Sequence, residues 1–293
     1  MTLMRLIRAA LLMNLQILIF VFGLIASSQT YAWGSTGHRL VCQLAYDRLS
    51  VTAKTFVAET LALGVELDGN GDNDFAEACL WPDAARHKDY QGTYEWHFIN
   101  VPAAARGIEF ARDCAAMDCI AVGIQRNLTY LARPTSGKRE QARKAAALRF
   151  LGHFIGDLHQ PLHVSHAEDW GGNKIRVTWF DEEVNLHAVW DTKIIERAGL
   201  TYPDSIEFLG SVEGQFKSRN VLAWMRESFR LARSHAYANI NGAPIQSGDE
   251  LDRAYFERSK PVVIEQLATA ARRLAYLIEG IADGTLDTNI LIE

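Results

Sequence analysis

The chain has 293 residues, of which 48% are hydrophobic and 10% aromatic, and its formal net charge is −5. This composition is ordinary for a globular protein with a sizeable core. The acidic balance argues against binding of nucleic acid through a basic surface alone, although bound metal ions can reverse the sign of the charge locally.

The N-terminal segment has the layout of a secretory signal peptide. Two arginines precede an apolar run over residues 9–26, and the small-residue pattern SSQTYA ends at Ala32. An uncleaved membrane anchor is the alternative, but polar residues interrupt a run that should hold about 20 apolar residues in a span. We predict a signal peptide at 1–32 and a mature domain at 33–293, with a net charge of −7. The mature protein is then secreted or periplasmic.

Apolar residues recur at spacings of three and four along most of the mature chain, which predicts helices. Pro161 ends the second predicted helix, and Pro261 is expected in the first turn of the last one. The only persuasive strand signal is NKIRVTWFDEEV, which predicts a short hairpin. The expected fold is one mainly α-helical domain with a short β-hairpin. The predicted helices cover residues 36–49, 139–160, 185–199, 220–237 and 260–284.

All four cysteines lie in the mature part, and an even number in an exported chain suggests two disulfides. The short separation of Cys114 and Cys119 favours a local loop bridge. Cys42 with Cys79 then follows by elimination. Free or zinc-bound cysteines are the alternative, which is less common outside the cytosol.

The predicted helix 139–160 carries polar residues on an otherwise apolar stripe. His153 and Asp157 are four residues apart and share a helix face, and His187 and Asp191 repeat this spacing on another helix. A single histidine on an apolar stripe is usually a core residue, but two His/Asp pairs favour a zinc site. His163 follows the break at the proline and can turn towards the same pocket.

Further ligand types occur upstream in WGSTGH, WPD and YEWHFIN, which contain His38, Asp83 and His97. Cleavage after Ala32 would also give Trp33 a free α-amine beside its own carbonyl. Together these two groups would form a five-membered metal chelate that only processing creates.

These segments, together with GHFIGDLHQPLH, GGN and NLHAVWD, resemble the secreted zinc-dependent single-strand nucleases and 3′-nucleotidases called type I nucleases. The resemblance spans essentially the whole mature chain. It implies a helical fold of the phospholipase C / zinc nuclease type with three zinc ions in a cleft. It also implies endonucleolytic hydrolysis of single-stranded DNA and RNA to 5′-phosphate products, with 3′-nucleotidase activity. We expect a monomer that is not bound to a membrane.

The resemblance also implies which residues bind each metal, and it matches the local disulfide Cys114–Cys119. The first zinc takes Asp83, His97, His153 and Asp157. The second takes the α-amine and carbonyl of Trp33, with His38 and a bridging oxygen of Asp157. The third takes His163, His187 and Asp191.

In this scheme Asp83, Arg86 and Asp157 form the catalytic centre. Two close zinc ions would hold a hydroxide that attacks the phosphorus, and the third would stabilise the departing 3′-oxygen. Arg86 matches a basic residue that faces the phosphate and neutralises charge in the transition state. A solvated surface arginine is the alternative.

Base recognition is expected from Phe98 as a stacking surface, with Asn100 and Asn173 as hydrogen-bonding groups. Phe98 could instead be a core residue. Asn100 is a departure, since fungal and plant relatives tend to have Asp there. Because an amide both donates and accepts, the base preference should differ.

Two other functions remain as alternatives. A zinc-dependent phospholipase C shares the scaffold, but it tends to have Glu in place of Asp191 and lacks a use for the base-site segments. A zinc-binding protein without turnover has no need for Arg86 beside the metals.

Overall fold

Helices form most of the described chain, which in the computed structural model comprises residues 33–64, 74–213, 216 and 218–288. The predicted signal peptide, 1–32, lies outside these residues. The mainly α-helical class is confirmed. The α-helices are α1 (Ser35–Asp47), α2 (Val51–Ala62), α3 (Phe75–Ala78), α4 (Trp81–Ala85), α5 (Phe110–Asp113), α6 (Ile120–Leu131), α7 (Lys138–His159), α8 (Leu186–Ala188), α9 (Ile194–Arg197), α10 (Ile206–Ser211), α11 (Val221–Leu231) and α12 (Arg253–Ala282).

Helix α7 is the centre of the fold. Its C-terminal part is buried continuously from Ala145 to His159, and it packs against α1, α2, α6 and α12. The helix stops where the sequence predicts, because the residue before Pro161 is extended (Gln160, φ −85° and ψ 112°). Because every side of its last four turns is covered, any polar side chain there must be satisfied inside the protein.

Two helices differ from their prediction. Helix α12 begins eight residues before Pro261, because Asp252 caps it by accepting hydrogen bonds from the backbone N–H groups of Ala254 and Tyr255. The proline therefore lies inside the helix and not in its first turn. The predicted helix 185–199 contains a π-helical segment, Val189–Lys193, between α8 and α9.

The strands are short. The predicted hairpin is present as β3 (Arg176–Trp179) antiparallel to β4 (Glu182–Asn185). The sequence did not indicate β1 (Ile99–Val101), which pairs in parallel with β2 (Val164–His166), or the two-residue β5 (Glu250–Leu251), which pairs with β3. The β1–β2 pair joins the segment after His97 to the segment after α7.

Both expected disulfides are present. Cys42 of α1 is bonded to Cys79, and Cys114 to Cys119. Gly152 of α7 provides the space for the first bridge, because a Cβ atom there would lie 2.4 Å from the sulfur of Cys79. Among the described residues, no helix is long and apolar enough to cross a bilayer.

Candidate metal centre

The last two turns of α7 bring ligand-type side chains from four elements together around Asp157. Its Oδ1 lies 3.2 Å from Nε2 of His38, which α1 supplies. Its Oδ2 lies 3.0 Å from Nδ1 of His97 and 3.3 Å from Nε2 of His153. Each oxygen of this fully buried carboxylate therefore faces a different set of imidazole nitrogens, as a carboxylate shared between two metals would.

Asp83 completes this group from the short helix α4. Its Oδ1 is 3.6 Å from Nε2 of His153 and 3.9 Å from Nδ1 of His97. The guanidinium of Arg86 approaches the same oxygen to 3.1 Å and lies over the ring of Tyr94. The structure therefore places the one nearby arginine predicted for the centre directly beside a ligand candidate.

A second group forms where α7 ends and α8 begins. Nε2 of His187 lies 3.0 Å from Oδ2 of Asp191, and Nε2 of His163 lies 4.0 Å from Oδ1 of the same carboxylate. The His187–Asp191 pair spans α8 and the π-helical turn. These three side chains are buried, with donor atoms within 4.8 Å of one another.

Trp33 is buried beside both groups. A Cβ atom on Gly156 would lie 2.8 Å from Nδ1 of His38 and 3.7 Å from Cδ1 of Trp33, so Gly156 permits their close approach to α7. The next residue, Gly34, donates its backbone N–H to the carbonyl of Asp191 at 2.9 Å. The start of the predicted mature chain is thus anchored at the site.

Backbone carbonyls orient three of the histidines. Nδ1 of His153 donates to the carbonyl of Cys79 at 2.7 Å, Nδ1 of His163 to that of His97 at 2.6 Å, and Nδ1 of His187 to that of Gly171 at 2.7 Å. With Nδ1 protonated, each ring turns the lone pair of Nε2 towards the carboxylates. Metal-binding histidines are usually held in this way.

Burial and neighbouring charges set the protonation of the group. Burial raises the pKa of Asp83, but the charges of His153 and Arg86 outweigh this effect and hold its pKa at about 2. Burial likewise opposes ionisation of Asp157, yet the surrounding histidines keep its pKa well below the ordinary value. Burial lowers the pKa of His97 to about 4. Ionised carboxylates and a neutral imidazole are the forms that bind a metal.

The donor set fits zinc. Several buried polar atoms that face the two groups lack a hydrogen-bond partner, which is costly unless something else satisfies them. They are Nδ1 and Nε2 of His38, Oδ1 of Asp83, Nε2 of His97, Oδ1 of Asp157, Nε2 of His163 and Oδ2 of Asp191. Imidazole and carboxylate are zinc ligands.

Comparison with known proteins agrees with this geometry. The S1/P1 Nuclease family matches residues 33–283. The chain belongs to the S1/P1 nuclease family. Endonuclease 2 of Arabidopsis thaliana is 33% identical over 280 residues, covering 88% of this chain and 93% of the relative. Nuclease P1 of Penicillium citrinum is 30% identical over 278 residues (85% and 97%), and Nuclease S1 of Aspergillus oryzae 26% over 281 residues (86% and 93%).

The S1/P1 family is zinc-dependent, and the buried His/Asp groups are of the type that binds this metal. Membership in a nuclease family also supports phosphodiester hydrolysis as the reaction, with nucleic acid as the substrate. The resemblance noted in the sequence is therefore confirmed at the level of the family.

The three residues expected to recognise the base lie on neighbouring loops of this S1/P1 scaffold. Phe98 directly follows His97, is half-buried, and meets Tyr94 edge to face at 5.9 Å. Asn100 lies in β1 opposite Ser165 of β2. The side-chain amide of Asn173 donates to the carbonyl of Trp170 at 2.8 Å, so part of its hydrogen-bonding capacity stabilises its own loop.

Two further residues were not indicated by the sequence. Gln160 is fully buried, accepts a hydrogen bond from the backbone N–H of Leu162 and donates one to Asp191. Trp170 is 63% exposed and precedes Gly171, whose carbonyl holds His187. A glutamine at a helix end is an ordinary residue in sequence, whereas the tryptophan in EDWGGN was a visible signal.

Proposed function

We propose that this protein is a secreted, zinc-dependent nuclease that cleaves single-stranded DNA and RNA to products with 5′-phosphates. It also removes the phosphate of 3′-nucleotides. The observation that carries this proposal is the sharing of Asp157, whose two oxygens face different histidines beside Asp83 and Arg86. A storage site for one metal needs neither a shared carboxylate nor an adjacent guanidinium.

Three zinc ions are proposed, held by the sets expected from the sequence. The first set is Asp83, His97, His153 and Asp157. The second set is Trp33 through its α-amine and carbonyl, His38 and Asp157. The third set is His163, His187 and Asp191. When bound, zinc supplies Lewis-acid chemistry by lowering the pKa of bound water towards ~7 and withdrawing charge from phosphate oxygens.

The residues of the chain have distinct tasks in this reaction. Asp83 and Asp157 hold the paired metals at a fixed separation and stay ionised because of the surrounding positive groups. Arg86, held beside Asp83, neutralises charge on the phosphate as it passes through the transition state. Phe98 stacks on an unpaired base, which favours single strands because a paired base has no free face for it.

The secreted location rests on the predicted signal peptide at 1–32. The start of the family match at residue 33 and the burial of Trp33 at the site support cleavage after Ala32. One extra residue ahead of Trp33 would remove the α-amine chelate. Such a protein should bind less zinc and lose most activity, and full activity with full zinc content would contradict the α-amine assignment.

The direct test is to incubate the mature protein with single-stranded DNA and, separately, with phosphatidylcholine, and to identify products by mass. Nucleotides with 5′-phosphates, lost with a chelator and restored by zinc, are expected. Diacylglycerol with intact DNA would assign the protein to the phospholipase branch instead. Product from neither would refute the proposal.

Asp83→Ala provides the matching variant. It should abolish turnover while zinc remains at the group of His163, His187 and Asp191. Asp89→Ala, which removes an exposed carboxylate six residues along the chain, is the control and should retain activity. Equal activity of both variants would exclude Asp83 from the centre.

A further inference from the structure

The charge of this acidic protein is unevenly distributed. Residues 126–149 contain seven arginines and lysines and a single acidic residue, Glu140, although the predicted mature chain has a net charge of −7. These residues form most of α6, the connection to α7 and the N-terminal half of α7. A local excess of positive charge on a protein that is acidic as a whole marks a surface suited to an anionic partner.

Four basic residues of this region and of the adjacent turn 86–90 form what we call the basic strip: Lys88, Lys138, Arg139 and Arg143. All four are exposed. In the part of the chain that the structure describes, none of them forms an ion pair or a side-chain hydrogen bond.

Basic residues elsewhere on the surface are held by acids. Examples are Arg39 with Glu77 at 2.6 Å and Lys193 with Glu182 at 2.8 Å. The cations of the basic strip are therefore available to bind an external anion in a way that these paired side chains are not.

The strip leads away from the metal centre along one side of α7. Arg143, Phe150 and Asp157 are each seven residues apart, nearly two full turns, and so lie on the same side of the helix. Phe150 contacts the rings of Tyr90 and Trp81 at 5.4 and 5.3 Å. With 1.5 Å per residue, the strip begins about 21 Å from Asp157.

Further contacts place the strip next to the turn that carries Arg86. The charge of Arg143 acts on the hydroxyl of Tyr90, which ends this turn. Arg139 precedes Arg143 by one helical turn and shares its side. Two acids occur on the same surface: Asp89, which also acts on Tyr90, and Glu140, which accepts from the backbone N–H of Ser136. Strip cations outnumber them two to one.

We propose that the basic strip binds the phosphates of single-stranded polynucleotide that extends beyond the cleaved bond. This inference rests on the proposed nuclease function and adds a second contact region outside the metal centre. A dinucleotide is too short to reach from Asp157 to Arg143, whereas a longer strand can. The strip should therefore raise the efficiency of the enzyme on long strands only.

The test compares Arg139→Glu/Arg143→Glu with a control, Arg219→Glu/Arg253→Glu, which reverses two exposed arginines outside the strip. Each zinc-loaded protein is assayed on a dinucleotide and on a long single-stranded oligonucleotide. The strip variant should lose about tenfold in kcat/KM on the oligonucleotide at low salt. Its salt dependence should flatten by ~0.7 in log–log slope for each lost phosphate contact. The dinucleotide rate should stay unchanged.

Dinucleotide turnover and zinc content report whether the variant is folded, and Arg139→Gln/Arg143→Gln replaces it if it is not. A loss on the oligonucleotide no greater than in the control would overturn the proposal, as would an equal loss on both substrates. Weaker binding to anionic vesicles with unchanged oligonucleotide kinetics would also overturn it. Failure of the wild-type protein to cleave either substrate would instead refute the proposed function.

Discussion

Gln160→Glu tests how the group of His163, His187 and Asp191 is held together. The wild-type side chain accepts from the N–H of Leu162 through Oε1 and donates to Asp191 through Nε2, in a fully buried environment. Glutamate has nearly the same shape and keeps the acceptor for Leu162. It replaces the donor by a second carboxylate oxygen that faces Asp191.

The magnitude follows from the lost contact. A hydrogen bond to a charged group contributes about 1.5–3 kcal/mol, and removing the support of a metal ligand typically costs about 10–100-fold in affinity. Gln160→Glu should therefore lower zinc affinity at this group by about 10–100-fold. The ligands around Asp157 receive no hydrogen bond from Gln160 and should keep their zinc.

The assay is zinc content after dialysis against a zinc buffer, with thermal unfolding measured in parallel. Gln160→Met is the companion variant, because it removes both hydrogen bonds and leaves the N–H of Leu162 unpaired at a cost of about 1–3 kcal/mol. Glutamate should change mainly zinc content, and methionine should change stability as well. If Gln160→Glu retained wild-type zinc content and affinity, the assigned role of Gln160 would be wrong.

Three further outcomes are expected. Cys42→Ala/Cys79→Ala opens a bridge with a separation of 37 residues and should lower the free energy of unfolding by about 4 kcal/mol in urea titrations, against about 2 kcal/mol for opening the five-residue second bridge; equal losses would contradict this. Burial lowers the pKa of His153, but nearby carboxylates outweigh it and raise the pKa above its ordinary value of 6.5. Zinc must displace that proton, so its affinity should fall as pH decreases through the raised pKa, and a flat profile in chelator competition would disprove the sign. Gly156→Ala should weaken zinc binding by displacing the adjacent imidazole, whereas Gly92→Ala, with open space around it, should not.

Ligand identity could be predicted from the sequence because zinc needs particular side chains at particular helical spacings. His153 with Asp157 and His187 with Asp191 are separated by one turn, and this separation is visible without a structure. The supporting carbonyls of Cys79, His97 and Gly171 were not predictable. Every residue has a carbonyl, and only the packing of distant segments decides which ones meet a histidine.

The fold shows the same division between local and long-range information. Pro161 ends α7 because the effect of proline on the preceding residue is local. Pro261 misled the prediction for α12, since proline is favoured in a first turn and the capping Asp252 lies nine residues earlier. The β1–β2 pair joins residues 65 positions apart through three-residue strands, too short for a periodic pattern to be recognised.

Helix α7 explains why such costly polar groups persist in the core. Phe150, Phe154 and Leu158 pack on apolar neighbours, while His153 and Asp157 face the ligands on the other elements. Partnerless donors and acceptors here would destabilise a protein that only folded. Replacing them with leucine would give a simpler core, so their presence is explained by the metal they can bind rather than by stability.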